Sequence, residues 1–92
     1  MPINYDRVPE HMREGIRHYI EDGRPPGGFL RALLSNDFME TVGRADSINR
    51  EALREWARFL YNEVPSNCHG SPKVVEAWIK RGGLNGGCID AP

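Results

Sequence analysis

Five consecutive residues, Arg24-Pro25-Pro26-Gly27-Gly28, set the first hard constraint on this chain, because no helix can run through them. Two prolines fix φ and remove two backbone donors, and two glycines open conformations denied to other residues. Directly behind them stands a strongly apolar run with Phe29, Leu30, Leu33, Leu34, Phe38, Met39 and Val42 at helical spacing. Its apolar arc is wide, so this second helix is expected to start near Gly28 and to be the central, most buried one. It carries two polar residues, Asn36 and Asp37, in its middle, where capping gives them no role. Gly43 and the polar knot Arg44-Ala45-Asp46-Ser47 mark its end.

Similar punctuation divides the rest. Pro9 suits a first helical turn, Met12, Ile16, Tyr19 and Ile20 follow at helical spacing, and Gly23 is a left-handed stop, so a first helix is expected over residues 9–22. Glu10 and Glu14 each lie three residues before an arginine, Arg13 and Arg17, within reach of ion pairs. Residues 1–7 read as a polar, extended arm with Tyr5 as the residue able to pack. Asp46 or Ser47 can cap a third helix, whose stripe is Leu53, Trp56, Ala57, Leu60 and Val64. Arg50, Arg54 and Arg58 run up another face with Glu51 and Glu55 between them, the pattern of a solvated face laced with weak pairs. Pro65 ends that helix. Ser71-Pro72 starts a fourth, with Val74, Val75, Trp78 and Ile79 on one face, Lys80-Arg81 in its last turn and Gly82 as its stop. No repeat, heptad or strand alternation is present. The chain is expected to be an all-α, compact single domain of about four helices over residues 1–82, with a flexible glycine-rich C-terminal tail over 83–92.

Composition narrows the function classes. Ninety-two residues suffice for one core without disulfides or metal. A formal net charge of −1 argues against a general nucleic-acid binder, which needs a basic excess. Ten Arg stand against two Lys, a bias that favours bidentate contact with phosphate or carboxylate and that a GC-rich genome also produces. Cys68 and Cys88 do not suggest a structural bridge, no secretory leader is read, and no apolar run nears the ~20 residues that span a membrane. A reducing, cytoplasmic setting is therefore expected, with no membrane partner.

Two helix starts follow glycine-bearing polar loops, and free N–H groups there attract anions. One candidate cradle is Arg24, Gly27, Gly28 and Arg31; the other is Asn67, His69, Ser71 and Lys73. Ordinary turn and capping geometry explains the same residues. One helix terminus contributes about 0.3–1 kcal/mol, whereas micromolar binding needs about 8, so a ligand site requires several Arg and aromatic groups to converge, most easily across a subunit interface. Asn36, Asp37, Asp46 and Asn49 form a second polar group, able either to tie the hairpin or to line a pocket that reads a base or ribose edge. Cys68-His69, with His11, His18 and Cys88 scattered, matches no zinc spacing, and adjacent loop residues seldom form a nucleophile–base pair. No catalytic residue, metal or cofactor is assigned. Trp56, Trp78, Phe29 and Phe38 read as core; Tyr19 and Tyr61 suit either core or interface.

The strings PPGGFLRALLSNDFMETVGRAD and FLYNEVPSNCHGSPKVVEAWI resemble a family of short helical proteins carried by bacteriophages and prophages. The shared pattern is P-G-x-F-L-x-A-h-L-x-N-D, then A-D-x-x-N, then Y-N-x-x-P-S-x-C-x-G-S. His69 departs from it, since that position is expected to be an aromatic such as Trp. The resemblance covers residues 8–79 and implies a phage or prophage source without an activity. Accessory proteins of this size commonly act by stoichiometric binding. Three functions follow as expectations. The first is a non-catalytic homo-oligomer that captures an anionic, nucleotide-like ligand such as a host immune signal. The second is a protein-binding inhibitor or adaptor for a host complex, which requires an exposed apolar patch rimmed by Arg. The third is a nucleic-acid regulator using the Arg50, Arg54 and Arg58 face.

Overall fold

The computed structural model describes residues 3–87, and these are helix and turn with no strand among them. In chain order the α-helices are α1 (Glu10–Asp22), α2 (Gly28–Leu34), α3 (Phe38–Arg44), α4 (Ser47–Glu51), α5 (Leu53–Asn62), α6 (Pro72–Arg81) and α7 (Gly83–Gly87). Short 3-10 turns at Tyr5–Arg7 and Ser66–Cys68 precede α1 and α6. The all-α class is as expected, but seven α-helices stand among the described residues where about four were expected. Two of the expected helices are each broken once, and part of the expected tail is helical.

The first break overturns the reading of Asn36 and Asp37 as mid-helix residues. Asn36 sits at φ 63, the left-handed region, just past the end of α2. Its N–H donates to the Leu33 carbonyl at 3.1 Å, and the Asp37 N–H donates to the Ala32 carbonyl at 3.0 Å. These are the paired closing bonds of a Schellman stop, with Asn in the place glycine usually takes. Asp37 then opens α3: its carboxylate accepts the Glu40 N–H at 3.2 Å. One residue ends a helix and the next begins another.

Because the axis turns there, the apolar spacing through the break loses its meaning. Leu34 is buried, but Phe38 and Met39, read as part of the same buried arc, are 71% and 76% exposed. The third expected helix breaks at Ala52, whose N–H reaches both the Ile48 and Asn49 carbonyls. After that break the buried residues are Trp56, Phe59 and Leu60, with Ala57 exposed and Tyr61 88% exposed. Phe59, left out of the expected stripe, is fully buried and meets Trp56 edge-on at 6.2 Å.

The N-terminal arm is folded down rather than extended. The Arg13 guanidinium donates to the carbonyls of Tyr5, Asp6 and Val8. It does not form the expected pairs within α1. Tyr5 packs its ring on Phe59 at 5.8 Å and donates its hydroxyl to Glu21. At the far end of α1, Gly23 adopts φ 70 and closes the helix as expected. A Cβ there would lie 2.6 Å from the Gly83 nitrogen, so the end of α1 and the start of α7 meet backbone to backbone. Residues 83–87 of the expected flexible tail are thus helix packed on α1; the remainder of that tail lies outside the described residues.

The core is organised by aromatic rings with satisfied polar ends. Trp78 donates its indole N–H to the Tyr19 carbonyl at 3.0 Å, and the Tyr19 hydroxyl donates to the Cys68 carbonyl at 2.7 Å. Trp56 donates to the Oδ1 of Asn49, itself buried, at 3.1 Å. Asn49 therefore has a structural role. Ser71 caps α6 through the Val74 N–H, with Pro72 at the first turn and Gly82 left-handed at the end, all as expected.

The Schellman–cap junction gives a direct test. Asn36→Val is expected to cost about 1–2 kcal/mol, because a β-branched residue is strained in the left-handed region. Asn36→Gly should be neutral or stabilising, and Asp37→Ala should cost about 1 kcal/mol as a lost cap. Urea denaturation of the three variants checks the order. A larger loss for Asn36→Gly than for Asn36→Val would contradict the junction.

Candidate functional site

The ten residues singled out for ligand binding do not converge. Arg24 and Gly27 line a hollow of about 330 Å³ with Glu14, His18, Pro26 and Leu30. Gly28 and Arg31 face a different hollow of about 380 Å³, shared with Asp37, Glu40, Arg44 and Pro72. Asn67 borders a third, against Val74, Trp78 and Arg81. Asn36 and Asp37 stand at a fourth, between α3 and α5. The two expected cradles therefore do not open on one cavity; Gly28 and Pro72 alone bring the starts of α2 and α6 to the same hollow.

Most of their polar groups are also engaged. The Arg31 guanidinium pairs with Glu76 at 3.3 Å, and Arg44 pairs with Glu40 at 2.8 Å. His69 Nε2 lies 3.0 Å from the Leu60 carbonyl, a contact that requires the proton on that nitrogen because a carbonyl only accepts. Ser71 is spent on its cap, and Gly70 donates its N–H to the Leu34 carbonyl at 2.7 Å. Lys73 is exposed and makes no ion pair among the described residues. The polar loop before α6 is a fastening between α2, α5 and α6.

The Cys68-His69 pair has no nucleophile geometry. Cys68 is fully buried, and burial pushes its thiol up to about 12. His69 reaches the main chain of α5 instead. At the head of α4, Asp46 is held below its ordinary value, first by the Asn49 N–H and next by His11, whose Nε2 lies 3.0 Å from its Oδ2. Among the described residues no group of three or more His, Cys, Asp or Glu side chains is placed to hold a metal ion, and no helix is long and apolar enough to cross a membrane.

What the structure does assemble is apolar. Leu33, Phe38, Thr41, Val42, Leu53 and Ala57, with Asn36 and Asp37 at the Schellman junction, line a groove of about 230 Å³ between α3 and α5. Thr41 spends its hydroxyl on the Asp37 carbonyl at 2.6 Å, so it brings no free donor to the groove. Leu53, Ala57 and Tyr61 recur every four residues on α5, and at about 100° per residue they share one arc of roughly 80°. Arg54 and Arg58 follow on the outward border of that arc. Arg50, Arg54 and Arg58 are exposed, and none makes an ion pair within 4.0 Å among the described residues, so the expected lacing by Glu51 and Glu55 does not form. Phe38, which lines the groove, and Met39 and Tyr61, on the same two helices, are exposed. Sequence reading missed this exposure because it took Phe38 and Met39 for core; the Asn-Asp pair three and four residues after Leu33 was the signal that the stripe is interrupted.

Comparison with protein-family models, curated proteins and solved structures returns no match for this chain.

The Cys68 geometry has a pH consequence. A thiol raised by burial contributes stability that is fully present below the ordinary thiol range and is lost as pH rises from there towards about 12. In a Cys88→Ser background, Cys68 should resist iodoacetamide at pH 8 and become labelled only on unfolding. Labelling of the native protein at the rate of a free thiol would place Cys68 at the surface.

Proposed function

We propose that this protein acts without catalysis, as a stoichiometric protein-binding module of the inhibitor or adaptor kind, through the apolar groove between α3 and α5. The carrying observation is the exposure of Phe38, which lines that groove, and of Met39 and Tyr61 on the two helices that form it, with Arg54 and Arg58 of α5 making no ion pair among the described residues. A cost in solubility accompanies large exposed side chains clustered on one face, and a partner surface removes it. The resemblance to phage accessory proteins points the same way by class. Benzoylphenylalanine placed at position 38 or 61 should photocross-link a single stoichiometric partner in a lysate of the cells that carry the gene. The same group at position 73, an exposed residue of α6 that does not line the groove, should not. Equal or absent cross-linking at all three positions would sink the reading.

A second reading, capture of an anionic nucleotide-like ligand, keeps one observation in its favour. Arg31 and Arg44 both border the hollow of about 380 Å³ beside Gly28, a volume within the ligand-pocket range. An anion there has to displace Glu76 and Glu40 from those arginines. Calorimetry against cyclic nucleotides and ADP-ribose derivatives is expected, on this reading, to give micromolar binding that Arg31→Ala weakens about tenfold. No heat at micromolar protein across the set removes it.

A further inference from the structure

We infer that the occupant of the α3–α5 groove is an amphipathic helix with acidic residues along one flank; this rests on the protein-binding reading above and specifies the partner's chemistry. On α5 the groove is lined by Leu53 and Ala57, and Tyr61 continues that four-residue ladder one turn further. Ala57 in the middle of that ladder leaves room for a partner backbone to approach. The ladder covers eight residues, about 12 Å along the helix axis, which matches two to three turns of a docked helix and its apolar i, i+3/i+4, i+7 positions.

Charge selects among such helices. Arg54 and Arg58 are one turn apart on the continuous part of α5, next to the ladder, and repel each other with no carboxylate paired to either among the described residues. Arg50 lies beyond the Ala52 break, on α4, and is not part of this pair. A helix lying in the groove runs beside Arg54 and Arg58, so Glu or Asp at its flanking positions finds two guanidinium groups one turn apart. A basic helix meets like charge along that border. A phosphate backbone would satisfy the same arginines, but it leaves Phe38, Val42, Leu53 and Ala57 uncovered, and the chain as a whole carries a net −1.

The test uses the full chain as bait against a displayed library of 20-residue helices, with Leu fixed at one apolar stripe and the flanking positions randomised. Binders are expected to be enriched in Glu and Asp on one flank. Their affinity should fall about tenfold or more in the Arg54→Glu/Arg58→Glu variant and be abolished by Ala57→Arg. Tyr61→Glu serves as a second block, and unchanged helical circular dichroism shows that each variant is folded; both sites are exposed. Enrichment without acidic bias, still lost in Ala57→Arg, overturns the acidic-helix inference while leaving the groove as an interface. No binder sensitive to either block overturns both. A dimer in sedimentation equilibrium that Ala57→Arg dissociates makes a second copy the occupant. Salt-dependent binding to DNA or RNA that is lost in Arg54→Glu/Arg58→Glu but kept in Ala57→Arg makes it a nucleic acid; either result overturns the inference.

Discussion

Tyr19 is the residue through which this small fold holds together. Its main-chain carbonyl accepts the Trp78 indole N–H, and its hydroxyl donates to the Cys68 carbonyl. One buried residue of α1 thus satisfies the polar end of the principal α6 ring and fixes the 3-10 turn that leads into α6. An unmade bond of this kind, left buried, costs about 1–3 kcal/mol, a large share of what a domain this size can muster. Burial also raises the Tyr19 hydroxyl well above its ordinary value, keeping it a donor throughout the physiological range. From that node the loop runs on to His69, held by the Leu60 carbonyl, and Gly70, held to Leu34. The loop is therefore committed on several sides before any ligand is considered.

That commitment explains why the loop's chemistry reads as functional in the sequence and proves structural. Asn, Cys, His, Gly and Ser in six residues form a composition shared by binding loops and by loops that must satisfy their own main chain. Nothing in the one-dimensional pattern says where His69 Nε2 points. Its partner is a carbonyl on α5, nine residues away, and only the packing of α5 against α6 brings the two together. Asn49 carries the same lesson in the core. Its polarity suggested a junction tie or a ligand contact, and the long-range partner that decides between them is the Trp56 indole.

The helix ends, by contrast, were legible because their signals are local. Gly23, Gly82 and Ser71-Pro72 act through bonds within four or five residues, and each appears where it was read. Asn36-Asp37 is a local signal too, since Asn tolerates the left-handed region and Asp caps. It was obscured by the apolar residues on either side, whose count through the junction at Leu34 and Phe38 gave a plausible continuous stripe. The tail was misjudged for the opposite reason. Its glycines read as freedom, but at Gly83 the absence of a Cβ permits backbone contact with Gly23.

The Schellman junction also bears on function. Had α2 continued, Phe38 would have stacked one turn beyond Leu34 on the buried face and Val42 one turn beyond that. The left-handed residue at Asn36 resets the helical phase and turns the axis, so that Leu34 is buried while Phe38 and Met39 face outward. A fold that needed only to close its core gains nothing from this, because unbroken helix would bury more apolar surface and expose fewer main-chain groups. Past the break, α3 instead forms a groove with α5, and on α5 Arg54 and Arg58 stand without an ion pair among the described residues. The two features lie in different segments of the chain and have no common structural necessity. On the proposed reading, a partner surface that is apolar along its centre and acidic at one edge accounts for both at once.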